Sequence, residues 1–191
     1  MLIFNCTKAA TEFFTATKKG VKISPIEPAP HKTITESFAA NSHIAAVQLD
    51  TNTDSDQNPT TTCHPVFVSA GNKSPHWHWQ VHAIKVKQKN VLIVIDYHSR
   101  FSITLTGLKK GDDIGFLNKF EHHLTVHINE IMRLISNQTN IDKSLDHYFN
   151  QHHSRAFHTR GDRSTQTHIT DIAWHFNNAV NDMGYIPDEI E

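Results

Sequence analysis

Cysteine is almost absent from this 191-residue chain: Cys6 and Cys63 stand alone, with no Cys-x-x-Cys spacing. Two isolated thiols make neither a disulfide framework nor a cysteine-based zinc site, and the expectation is a reduced, cytoplasmic protein. Glycine is scarce as well, at seven residues. The sequence has no Gly-rich phosphate loop, no dinucleotide-binding fingerprint and no Gly-x-Ser-x-Gly elbow. Charge of one sign is missing too. Eighteen Lys and Arg against nineteen Asp and Glu leave −1, so no global field draws the chain to nucleic acid or an anionic membrane. No run approaches the roughly 18 apolar residues of a membrane span, which excludes a membrane partner of that kind. The opening Met1–Cys6 lacks the basic region and apolar core of a signal peptide, so Asn137-Gln-Thr is not read as a glycosylation site.

Histidine, in contrast, is abundant, with 16 residues. A chain of this length buries about 70% of its unfolded surface and needs no metal merely to fold. The histidines are therefore free to carry chemistry or to be bystanders.

Leu2–Cys6 reads as a strand running into a short helix capped by Thr7, with Ala9, Ala10, Phe13 and Phe14 at helical spacing. Residues 20–32 hold Gly20, Pro25, Pro28 and Pro30 and form an extended connector. Residues 50–75 are too polar to bury a core and read as a loop or insertion within a single domain over 1–191; only Pro65–Ser69 there is strand-like. Trp77–Val86 alternates, Val91–Ile95 is a continuous apolar run, and Arg100–Leu108 alternates again. Short gaps between them predict an antiparallel meander of at least three strands.

A helix over 112–135 follows, with a stripe of Ile114, Leu117, Phe120, Leu124, Ile128, Ile131 and Ile135. A second helix is expected near 141–151. A third is expected near 168–182, capped by Thr167, carrying Ile169, Ile172, Ala173, Phe176 and Val180, and stopped by Gly184 and Pro187. The class is α+β: a central antiparallel sheet with the C-terminal helices packed on one face.

The stretch Trp79 to Arg100, with its Asp-x-x-Ser-Arg turn, followed by Leu105-Thr-Gly-Leu-Lys109, resembles a bacterial family known as a domain of unknown function. Asp162-Arg-Ser164 and the N-terminal Cys-Thr-Lys8 are similar to that family as well. His82 and Asn90 stand where the family usually has Asn and Lys. The resemblance implies an α+β fold in a bacterial cytosolic protein, and no activity.

Three constellations could carry chemistry. His76, His78 and His82 fall on one face of a strand, where neighbours two apart lie roughly 6.5–7 Å from each other. Neutral imidazoles there would suit a divalent transition metal such as Zn or Ni, with His98 or a carboxylate as a further ligand. His123 and His127, one helical turn apart with Glu130 beyond, form a weaker metal pair. Arg155, Arg160, Arg163 and Ser164 sit around a helix start, where guanidinium forks and backbone N–H groups suit a phosphate or carboxylate. Against each stands a plainer assignment: a polar strand face in solvent, a boundary histidine, a solvated loop. Cys6, or Cys63 beside His64, lacks the geometry of a nucleophile pair from sequence alone.

Without a catalytic signature, whether the chain is an enzyme stays open. The leading expectation is a cytosolic, non-enzymatic bacterial interaction or regulatory domain. A histidine-based metal protein (hydrolytic or not) and an anion or nucleic-acid binder through residues 155–168 are the alternatives. Nucleic acid is the less favoured partner, and the sequence is compatible with a homo-oligomer.

Overall fold

The structure is a computed structural model, and it describes residues 1–37, 76–135 and 154–187. The second helix expected near 141–151, the 50–75 tract, Cys63 and His64 lie outside the described residues.

The elements run β1 (Leu2–Cys6), α1 (Lys8–Phe14), β2 (Ala16–Lys18), β3 (Val21–Ile23), β4 (Ile26–Pro28), β5 (Trp77–Val86), β6 (Lys89–Asp96), β7 (Ser102–Leu105), α2 (Asp113–Ile135), β8 (Arg155–Thr159) and α3 (Arg163–Met183). Six strands form one sheet in the order β4-β8-β1-β5-β6-β7, and β2 and β3 form a separate hairpin. The predicted meander is present: β5, β6 and β7 are antiparallel neighbours. Beyond it the sheet is mixed, because β1 runs parallel to both β5 and β8, and β4 runs parallel to β8.

Alternation decides what each face receives. Leu2, Phe4 and Cys6 of β1, Trp79 and Val81 of β5, Leu92 and Val94 of β6 and Phe157 of β8 share one face with α1 and α2. Phe4 is its centre, with its ring about 5 Å from those of Phe116, Phe120 and Phe157. The expected stripe of α2 is rotated at its start: Phe116 is buried and Ile114 is 68% exposed. Asp112 fixes that entry by accepting from the Gly115 N–H at 2.8 Å, and Phe116, Phe120 and Leu124 then fall in line, each one turn on.

Helix α3 packs on the opposite face, where Ile169 meets Ile93 and Ile95, and Val180 lies with Val86 and Val91. The helices thus divide between the two faces of the sheet, instead of sharing one. The reason lies in β6, whose central residues are apolar on both sides and need cover on both. α3 also starts earlier than its apolar spacing predicts. Asp162, not Thr167, is the N-cap and accepts from the Ser164 N–H, while Gly184 closes the helix at φ 81. Lys87 reaches its last turn, donating from Nζ to the carbonyls of Val180 and Gly184.

Candidate functional site

The α3 side of the sheet is apolar only over β6 and the far end of β5. Toward β1, β8 and β4 the same face turns polar yet stays buried: Asn5, His78, Gln80, His158 and Arg160 are each less than a tenth exposed. Period two puts them there. Asn5 is registered with Gln80 and with His158, and Arg160 follows His158 by two. The cover comes from the connector after β4. Arg160 Nη2 donates to the His31 carbonyl at 2.5 Å, and Ser37 Oγ lies 3.5 Å from His78 Nε2. A capping arrangement holds this connector: Glu36 accepts from the Lys32 and Thr33 N–H groups, and Thr33 Oγ1 accepts from the Glu36 N–H.

Gln80 ties the cluster to the backbone by donating from Nε2 to the carbonyls of Asn5 and Arg160, both at 2.8 Å. Asn5 donates to the Trp79 carbonyl at 3.1 Å and lies 3.4 Å from His78 Nδ1. An amide N–H₂ can only donate, so Nδ1 of His78 is an acceptor and the ring is the neutral tautomer protonated at Nε2. Burial pushes the His78 pKa down to about 4, helped by Arg160, His76, His158 and His98. His158 is also held below the ordinary range by burial and by Arg160, against the opposing carboxylate and backbone carbonyl of Glu27.

Arg160 is the unbalanced member. It is 95% buried, yet among the described residues its Nε and Nη1 have no hydrogen-bond partner. Burial lowers its pKa, and Glu36 and Asp162 act the other way. Neither forms an ion pair with it among the described residues. Arg160 lines a cleft of about 590 Å³ at the carboxyl ends of β4 and β8. Ile26, Pro28, Ala29 and Pro30 contribute an apolar wall, and Thr159 and Gly161 border it beside Arg160. A Cβ placed on Gly161 would meet nothing within 4 Å, so the cleft is open at that point. Crevices beyond the carboxyl ends of parallel strands are a recurrent place for ligands, and this volume is that of a small-molecule site.

The residues singled out from sequence separate. Arg155 turns to the other face and pairs with Glu121 of α2. Arg163 is exposed at the start of α3. Ser164 Oγ donates to Asp162 and accepts from Arg100 Nη2 at 3.2 Å. Of that expected anion group, Arg160 alone borders the cleft. His76 and His78 rings lie 6.3 Å apart, but His82 is engaged elsewhere, with Nδ1 2.9 Å from Thr7 Oγ1. His123 and His127 rings are 6.4 Å apart, and His127 faces Glu130 at 3.4 Å. Among the described residues no three His, Cys, Asp or Glu side chains come together as a metal-holding group.

The strand face carrying the histidines is also not in solvent, since His78 and Gln80 are fully buried. Sequence reasoning missed Asn5, Gln80, Glu27 and His158. The alternation His158-x-Arg160 was the available signal, but it sits in a segment whose polar composition reads as loop.

Among the described residues no helix is long and apolar enough to cross a membrane. No curated protein and no solved structure matches the chain. Residues 45–191 do match a family model, and they supply β5 to β8, α2 and α3, whereas β1 at the heart of the sheet precedes the match. By that match the chain belongs to the family described as a domain of unknown function, DUF6933.

Proposed function

We propose that this domain binds a small ligand bearing a carboxylate or phosphate group, received by Arg160 in the cleft beside β4 and β8. The observation that carries this reading is the buried guanidinium with two nitrogen groups that find no acceptor among the described residues. A buried polar group without a partner costs about 1–3 kcal/mol, more when charged, and such a cost is recovered when an anion arrives. A guanidinium is the side chain best suited to a planar oxyanion. The connector over it carries Pro28 and Pro30, which limits the ordering needed on binding. We further place the protein in the cytoplasm, in keeping with Cys6, a buried free thiol whose pKa burial raises.

Isothermal titration calorimetry of the full chain against a panel of small carboxylates and phosphates tests the reading. At least one should bind, and Gly161→Leu should abolish binding by filling open space without disturbing a packed neighbour. Arg160→Met should weaken it at least about tenfold, the worth of one charge-assisted hydrogen bond. An absence of binding across the panel, or binding unchanged in both variants, overturns the proposal.

A further inference from the structure

We infer that the ligand of this cleft is a zwitterion of the α-amino-acid type, its carboxylate on Arg160 and its ammonium group on Glu27. The inference rests on the anion-binding reading above and adds the second charge. Glu27 is registered with His158 in the β4–β8 ladder, so its side chain leaves the sheet on the face that carries His158 and Arg160. It lines the same cleft as Arg160. Among the described residues its carboxylate takes part in no ion pair and accepts no hydrogen bond, although a guanidinium with spare donors borders the same space. Opposite charges that share a cleft without meeting leave room for a molecule carrying both complements.

The surrounding charges argue against a dianion. Glu27 borders the cleft, and Glu36 and Asp162 are near enough to act on Arg160. A phosphate dianion would meet repulsion from all three, whereas a carboxylate carrying its own cation would not. Lys32 also lines the cleft and is exposed, as Glu27 and Glu36 are, so one screened cation stands against three carboxylates. The apolar wall of Ile26, Pro28, Ala29 and Pro30 can take an aliphatic side chain.

The test uses the full chain and calorimetry with the standard L-amino acids, then, for the tightest binder, its deamino acid and its decarboxylated amine, with inorganic phosphate alongside. The expected result is binding of an amino acid, with the deamino acid about tenfold weaker and the amine without measurable binding. Glu27→Gln should erase that tenfold preference, so that the amino acid and its deamino acid bind alike. If simple carboxylates or phosphate bind as well as any amino acid, the zwitterion inference fails and the anion site stands. A preference for the amino acid that survives Glu27→Gln overturns the role of Glu27. If none of these probes binds, both readings fall together.

Discussion

Gln80 holds Arg160 by its carbonyl: Nε2 of Gln80, fully buried in β5, donates to the Arg160 oxygen at 2.8 Å and spends its other hydrogen on Asn5. The backbone that positions the guanidinium is thereby fixed from the neighbouring strands. Gln80→Leu keeps the volume but removes both donors. We expect a stability loss of about 2 kcal/mol in urea unfolding, together with weakened anion binding. A change below about 0.5 kcal/mol would show that the two carbonyls do not depend on the amide.

Acid should loosen the fold through the same cluster. Burial holds the His78 pKa in the folded chain down to about 4, against the ordinary 6.5 of an imidazole, so the folded state favours the neutral form. Its contribution is complete above about pH 6.5 and is lost as pH falls from there toward 4. The full loss is on the order of 3 kcal/mol. His82 and His158 are shifted in the same direction and add to it. Unfolding free energies at pH 7 and pH 5 should differ accordingly, with a smaller difference in His78→Gln. A His78 ring that titrates near 6.5 by NMR would contradict the prediction.

Arg155 and Arg160 are five residues apart and should behave oppositely. Arg155 pairs with Glu121 where both side chains keep some solvent exposure, so the pair is screened. Arg155→Ala should cost less than about 1 kcal/mol and leave ligand affinity untouched. Comparing the two arginine variants in one calorimetric series checks this, and loss of binding in Arg155→Ala would move the site to the other face.

The β5–β6 turn is built from Lys87 at φ 45 and Gln88 at φ 66, a left-handed pair that L side chains tolerate poorly. Lys87 repays its conformation through its bonds to the end of α3, and Gln88 has no such return. Gln88→Gly should therefore raise stability by about 0.5–1 kcal/mol, read as a higher urea midpoint with an unchanged slope. A lower midpoint would place Gln88 in an interaction its backbone angle does not reveal.

Local patterns in the chain were sufficient where one face of an element is apolar. The alternation of Trp77–Val86 and Ser102–Leu105, the solid run of β6, the Thr7 cap and the spacing of Ile169 and Val180 all carried through to the folded chain. The polar half of the sheet could not be read that way. Strand β8 places Phe157 toward the core and His158 toward a buried polar layer, and its pairing with β1 and β4 makes such a segment a strand. β4 hides in a proline-rich connector and is tolerated because it is an edge strand, where a missing N–H costs little. Arg160 was visible as a charge; that the fold buries it, away from Arg155 and Arg163, depends on which strand lies beside which.

The central place of β1 has a consequence for how the chain must assemble. Its five residues are made well before their partners, Trp77–Val81 on one side and Arg155–Thr159 on the other. β1 can complete one ladder only after the β5 segment has been made, and the second only after the β8 segment has. Until then an apolar strand with two open edges is on offer to any neighbour, as is any other unpaired edge during synthesis. The cleft inherits the same timing, because Asn5 and Arg160 are brought into one layer by the last of these pairings to form.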